Sequence, residues 1–545
     1  MKYQLMRNLL RWGARLILAL LALLALFILE ENIRGHILLA RYKAQLRAQG
    51  EKLTLAELNL PEPMKSVSGG YALPMMSNEF VAVYRTSPLV RYGLGVELFI
   101  ASGRREVLHQ QARLRDHRPQ PAPSLPPAGG RHDRAEGRGA YVPSSPQTCS
   151  WDELSKDIAA VSNVLERART AATGSAAAAE LDYKRDLGPQ LTPLIQTLRL
   201  ASWFSASALD ALHRGDLGSA LDDIVVAVNV AGLGKGVRNA RLQDLRVLSY
   251  ETNLGTTWEA LQTGGWIEPQ LARLQQSWQR AACLPEYVLT FEMERIECLR
   301  SYDHPTPEDV AWIWREPKYY QFDWADLIAY ACAHLGFTSF SSADLDFRVE
   351  NGLKDWTASA MSRVHWLIWR AAWVQQDEVH ALRGWQDDLD GVRTILARES
   401  WTAWPVRPLT QWTLYDQLRY LTPERAYYYD DSFLRAAEYE TLREMTIAAI
   451  ALKRYQLRTS RYPTDLSALV PEFLPEKPRD WMNGESLHYR LNADGTFTLY
   501  SVGENGVDDG GDPTLLAPRR LISSIWDGRD AVWPTAAPPT DPQTN

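Results

Sequence analysis

Cysteine is scarce in this 545-residue chain: Cys149, Cys283, Cys298 and Cys332 are all there is, and none stands in a Cys-x-x-Cys pair. That spacing excludes a zinc knuckle and thioredoxin-like redox chemistry. It leaves isolated buried thiols, with a Cys283–Cys298 bridge as the alternative. The signatures of common hydrolases and nucleotide enzymes are missing too. The chain has no HisGluXaaXaaHis zinc helix, no GlyXaaSerXaaGly elbow and no glycine-rich phosphate cradle. It also lacks a basic excess, since the net charge is −7. Nucleic acid is therefore not an expected partner, because the phosphate backbone selects a cationic footprint.

Long apolar runs are lacking as well, save one near the N-terminus. Leu16–Leu29 is 14 unbroken apolar residues, and counting back to Leu9 gives 21, with Arg11 and Arg15 snorkelling to the interface. Lys2, Arg7, Arg11 and Arg15 precede the run, and Glu30 and Glu31 follow it. The positive-inside bias predicts a single-pass anchor, N-terminus in the cytoplasm and the bulk of the chain exported. The alternative is a cleaved signal peptide, although Ala19, Ala22 and Ala25 form no Ala-x-Ala site.

What is present is mostly helical period. Apolar content of 46% suffices for a large core, and the twenty tryptophans fall mainly in helix-like segments as core residues. The chain divides into an anchor at 1–32, a charged helix over Arg41–Glu57 with a membrane-proximal segment (33–101), and a Pro/Arg-rich stretch at 102–147. That stretch is too poor in large apolar residues to offset its ordering entropy, so a disordered linker is expected; translation of GC-rich DNA out of frame has the same composition. A helical-hairpin domain (148–300), a Trp-rich helical continuation (301–430), a small α+β module (431–534) and a disordered tail (535–545) complete it.

The clearest hairpin places Phe204, Ala208 and Ala211 on one helix face, a turn at Gly215-Asp216, and Ala220, Ile224 and Ala227 on the next. Small residues at the crossing let two helices approach closely, a spacing that resembles one tetratricopeptide repeat hairpin. A looser second hairpin follows: Leu254, Trp258 and Leu261, then Gly264-Gly265, then Pro269, Leu271, Leu274 and Trp278. Farther on, Trp366, Trp369 and Trp373 make a stripe expected in the core. TrpIleTrp at 312–314 and TyrTyr at 319–320 are expected as an insertion packed on the helices, with a surface patch as the alternative. Two acidic groups invite a site: Asp377, Glu378 and His380, and Glu292, Glu294 and Glu297. Both read as solvated helix faces, since neither carries the histidine spacing of a metal bundle.

The last hundred residues differ in kind. A helix over about Phe433–Arg458 leads to ArgTyrProThrAspLeu at 461–466 and LysProArgAspTrpMetAsnGly at 477–484. Leu487, Tyr489 and Leu491 then alternate as a strand, AsnAlaAspGly at 492–495 makes the turn, and Phe497, Leu499 and Ser501 return. TyrSerValGlyGluAsnGlyValAspAspGlyGlyAsp at 500–512 closes the module with three carboxylates in five residues. These repel unless a cation or solvent relieves them, so the spacing admits a solvated acidic turn or a Ca²⁺ loop.

The three blocks together resemble the globular part of G-type pseudopilins of the type II secretion system. In that family the loop holds a structural Ca²⁺, which implies Asp508, Asp509 and Asp512 as metal ligands here. The block at 477–484 departs from the family, with ArgAspTrp where Asp-Pro is usual. A pseudopilin also carries a glutamate five residues into its apolar helix, where Leu18 stands here, so prepilin processing and pilus assembly are not expected. As a whole the chain resembles membrane-anchored proteins of planctomycete- and verrucomicrobium-like bacteria, and no activity comes with that resemblance.

The expected fold is therefore mainly α: an N-terminal transmembrane helix, a helical-hairpin body of tetratricopeptide-like or α-solenoid-like kind, and a small C-terminal α+β module with a β-hairpin. The expected function is a non-enzymatic, envelope- or secretion-related scaffold that binds protein partners, its module stiffened by calcium. The alternative is an exported hydrolase whose site is assembled from residues distant in sequence.

Overall fold

The computed structural model describes residues 2–58, 60, 99–100, 148–149, 151–173, 181–183, 188–307, 310, 361–404, 413–421, 427–514 and 525–533. The expected linker at 102–147, the aromatic groups at 312–314 and 319–320 and the tail at 535–545 lie outside the described residues.

The described chain is mainly helical, with a small antiparallel sheet near its end. The first helix, α1, is Lys2–Ala48, 47 residues without interruption. Of the separate charged helix expected over Arg41–Glu57, residues 41–48 are instead the last turns of α1 and residues 49–57 are not helical; nothing between Glu30 and Ala48 breaks the helix, since there is no proline and the single glycine, Gly35, lies at a contact. A Cβ at Gly35 would stand 3.2 Å from both Gln375 Cβ and Gln376 Cγ, so its absence lets a second helix approach. Among the described residues α1 is the one helix long and apolar enough to cross a membrane, and its apolar window is entirely unburied. A signal sequence meets the same criterion.

Short strands β1 (Phe99–Ile100) and β2 (Thr148–Cys149) pair in parallel. The body begins with α2 (Trp151–Ala160) and α3 (Ser162–Thr173), which pack against α4 (Gly188–His213) and α5 (Leu217–Ala231), respectively. Helices α4 and α5 form the first expected hairpin. Gly215 takes the positive φ of the turn, and Asp216 caps α5 by accepting the Ser219 N–H at 3.0 Å. Phe204, Ala208, Ala220, Ile224 and Ala227 are wholly buried and Ala211 is 1% exposed, so the small-residue crossing exists as read.

The second expected hairpin spans α6 (Ala240–Gln262) and α7 (Glu268–Gln279), but these two helices do not pack along each other: α7 lies against α5 and against the later helix Tyr427–Thr459, and its Leu271, Leu274 and Trp278 have no exposed surface. Side chains of this size each contribute roughly 1.5–3 kcal/mol on full burial. Helix α8 (Leu284–Ser301) packs on α9 (Val374–Arg398), and α9 packs on α1.

After the short α10 (Leu414–Arg419), the 33-residue α11 (Tyr427–Thr459) runs against α6, α7 and α8. Its buried residues Phe433, Met445, Ile450 and Leu452 share one apolar core with Leu154 and Trp203 of the body, and with Leu499 and Ala531 of the sheet. The module thus closes the helical core. Strands β3 (His488–Leu491) and β4 (Phe497–Ser501) pair with His488 opposite Tyr500 and Leu491 opposite Phe497, as the alternation predicts. A third strand, β5 (Ala531–Val532), pairs antiparallel with the end of β4. Two residues give no periodicity, so sequence alone could not reveal it.

Candidate functional site

Strand β4 delivers the chain into the acidic loop, and β5 returns beside it. Asp508, Asp509 and Asp512 all lie in that loop, but each carboxylate is engaged by a different group. Asp508 accepts the Gly510 N–H at 2.9 Å and the Tyr500 hydroxyl at 3.0 Å, with His488 Nδ1 at 3.4 Å. The Gly510 N–H, more than the Tyr500 hydroxyl, holds its carboxyl below the usual range. Burial, reinforced by the hydrogen bond to Asp508, pushes the Tyr500 phenol up to about 12. Asp512 turns outward onto Thr514, accepting its hydroxyl at 2.6 Å and its N–H at 3.0 Å, and these two bonds lower its carboxyl. Between Asp509 and Asp512 stands a cation from the protein itself: Arg529 Nη1 is 3.3 Å from Asp509 and its Nε 3.6 Å from Asp512.

The loop is organised by a residue that sequence reading did not single out. Asp530 is 1% exposed, and its carboxylate accepts the N–H groups of Gly511 (2.7 Å), Asp512 (3.1 Å) and Asp509 (3.3 Å). Gly511 makes that close approach possible. It sits at φ +79°, and a Cβ there would meet the Tyr500 ring at 3.1 Å. Asp480 does the same for the preceding loop. Fully buried, it accepts from Met482 N (2.9 Å), Ser501 Oγ (2.8 Å) and Val502 N (3.0 Å), and burial pushes its carboxyl up. Asp480 thus ties its loop to the end of β4, and Asp530 ties the acidic loop to the start of β5.

Ca²⁺ takes six to eight oxygens around one point. The three loop carboxylates do not converge that way, because Arg529 holds the space between two of them and Tyr500 holds the third. Among the described residues, no three His, Cys, Asp or Glu side chains are grouped so as to hold a metal ion. As arranged, the Arg529 guanidinium stands where a cation bridging Asp509 and Asp512 would sit.

The two acidic groups read as solvated faces are corrected by the packing. Asp377 has no exposed surface, and both its oxygens accept the Leu421 N–H at 3.1 Å. Glu378 is 8% exposed and meets Lys43 of α1 at 2.5 Å; burial raises its carboxyl against that cation's pull. His380 stacks on Tyr420, ring centres 4.5 Å apart, and burial lowers its pKa. The three sit where α9 meets α1 and α10, which i-to-i+4 spacing cannot foresee. Glu292 is likewise buried, 3.5 Å from Arg393. Glu294 accepts the Ala240 N–H at 2.9 Å at the start of α6, while Glu297 pairs with Arg300 at 2.8 Å as a surface residue does.

Cys283 and Cys298 are both buried and are not bridged to each other. Burial pushes the Cys283 thiol up to about 12, so the reactive thiolate is suppressed. Beside it Glu440, 1% exposed, accepts the N–H groups of Cys283 and Leu284 at the start of α8, where a carboxylate complements the helix dipole. A cleft of about 390 Å³ opens between the end of α1 and α8, lined among others by Lys43, Arg47, Ile296, Leu299, Arg300 and Asp303. Its cations are already paired, Lys43 with Glu378, Arg47 with Glu57 at 3.2 Å and Arg300 with Glu297.

No family model matches the chain, and neither a curated protein nor a solved structure matches it.

Proposed function

We propose that the chain is a membrane-anchored, exported scaffold whose body binds protein partners from the periplasmic side of a bacterial inner membrane. The observation that carries this reading is the continuity of α1. The apolar stretch and the packed stretch belong to one helix, and the packed end is fastened to the body by buried ions. A helix that continues into the core holds the body at a set height above the span, which suits a platform. The stacked hairpins, whose tetratricopeptide-like character is part of the proposal, offer the helical faces on which such proteins bind others. The pseudopilin-like module closes the core at one end. Calcium at Asp508, Asp509 and Asp512 stays in the proposal as a ligand that enters when Arg529 moves aside.

The test is fractionation of the full chain with protease access from each side of the membrane. The expected result is carbonate-resistant membrane association with the body cleaved only from the periplasmic side. A soluble periplasmic product lacking the first thirty or so residues would replace the anchor by a signal peptide.

A further inference from the structure

We propose that the tryptophan-bearing helical stretch at 361–373 lies in the interfacial layer of the bilayer that α1 crosses, so that the body meets lipid at a second place. The inference rests on the anchor reading.

Four contacts fix the relative direction of α1 and α9. Gln376 donates to the Glu31 carbonyl at 2.9 Å, Glu378 meets Lys43, Leu382 shares a small apolar cluster with Leu46, and Gln386 donates to Glu51 at 3.0 Å. Residue numbers rise together along both helices, so they run parallel. Residues before 374 therefore lie toward the apolar end of α1. The contacts continue that way: Phe27 and Trp373 meet edge to face with ring centres 6.3 Å apart, and Ile28 packs on the cluster of Trp369 and Trp373.

The joint at Trp373 does not turn the chain aside, since its N–H bonds to the Trp369 carbonyl at 2.8 Å and its carbonyl accepts the Asp377 N–H at 2.9 Å. Asn32 Nδ2 donates to the Ala371 carbonyl at 2.9 Å, so at about 1.5 Å per residue Leu367 stands roughly 6 Å farther toward the span than Asn32, level with the last apolar turn of the anchor. That is the headgroup–acyl boundary at which interfacial helices lie.

The exposed face has the matching chemistry. Ser362, His365, Trp369 and Ala372 turn inward, while Arg363, Val364, Leu367 and Arg370 turn outward. Val364 is 51% and Leu367 59% exposed, a cost in water that acyl chains remove. Residues 361–373 contain no acid, and their two arginines suit lipid phosphates. The Arg370 guanidinium lies 5.3 Å from the half-buried Trp366 ring, and Tyr415 meets Trp373 at 5.7 Å beside the same cluster. Trp, Tyr and Arg are the residues that mark a membrane boundary.

The test places a nitroxide on Leu367→Cys in the full chain, with Cys149 and Cys332 changed to Ser and the protein in phospholipid nanodiscs. Labels at Leu24→Cys and at Leu457→Cys, an exposed site on α11, report the span and water. The expected result is greater collision with oxygen than with a water-soluble nickel chelate at 367, at a shallower depth than at 24. A water-like signal at 367 with a lipid-like signal at 24 overturns the inference and leaves the anchor standing. Poor access to both reagents at 367 overturns it too, in favour of a protein covering that face. Water-like signals at both sites overturn the anchor itself. A second label at Val364→Cys repeats the measurement should 367 perturb folding.

Discussion

Arg295 donates from Nη1 to Glu51 Oε2 at 3.0 Å, and its side chain has no exposed surface at all. Glu51 lies just past the end of α1, Arg295 in the middle of α8, and Gln386 and Arg393 of α9 reach the same carboxylate. Arg295 also donates to the Lys52 carbonyl at 2.7 Å, so one guanidinium holds both side chain and backbone where α1 ends. Burial alone would raise the Glu51 carboxyl. Hydrogen bonds from Arg393 and Gln386, with the charge of Arg295, outweigh it and hold the carboxyl at about 2, against an ordinary 4.5.

Glu51→Gln leaves Arg295 buried without a full counter-charge, and breaking a buried pair in this way costs roughly 3–5 kcal/mol. The depressed pKa fixes the pH dependence: the advantage of wild type over Glu51→Gln is full above pH 4.5 and lost as pH falls through about 2. Denaturant melts of both proteins across that window measure it. Adding Arg295→Met to the variant is expected to recover part of the loss, because the orphaned charge goes with it.

The anchor reading predicts that Leu20→Arg with Leu24→Arg releases or mislocalises the chain. Each charge near a span centre costs about 2.5–3.5 kcal/mol on insertion scales. Undiminished membrane fractionation of the double variant would count against the span.

At the first hairpin, Ala220→Trp is expected to destabilise by about 1–3 kcal/mol or more, because Ala220 is wholly buried where α4 and α5 cross. Calorimetry reads it as a lowered Tm. An unchanged Tm would mean that the crossing is not as close as the burial indicates.

The acidic loop gives the fourth prediction. Arg529→Gln removes the cation between Asp509 and Asp512 and leaves two carboxylates facing one space. That variant is expected to gain more Tm from calcium than wild type, with magnesium a poor substitute because of its tighter shell. Combining it with Asp509→Asn and Asp512→Asn is expected to abolish the gain. Identical melts in calcium and chelator for wild type and Arg529→Gln would leave the loop a folded acidic turn held by Asp530.

Asp530 itself is expected to matter more than any of the three carboxylates read from sequence. Asp530→Ala strips three part-buried backbone N–H groups of their acceptor, where a fully buried donor would cost roughly 1–3 kcal/mol. Faster hydrogen exchange at Asp509, Gly511 and Asp512 is the specific readout, since a general loss of stability would not single out those amides.

Local patterns were legible because their physics is local. The period of Phe204, Ala208 and Ala211, the turn at Gly215-Asp216 and the alternation of Tyr489 with Leu491 each depend on neighbours a few residues away. The sequence alone could therefore specify the first helical hairpin, the β3–β4 hairpin and the apolar run. It could not assign the acids. Asp377, Glu378 and Glu292 carry the local signature of a solvated helix face, and whether such a face is wet depends on which helix covers it. For Glu378 that helix is α1, more than three hundred residues earlier. Asp530 reaches its loop across some twenty residues, and Arg295 reaches Glu51 across 244. The desolvation that makes these charges matter arises only once the helices pack, so tertiary structure alone decided which acids are surface and which hold the fold together.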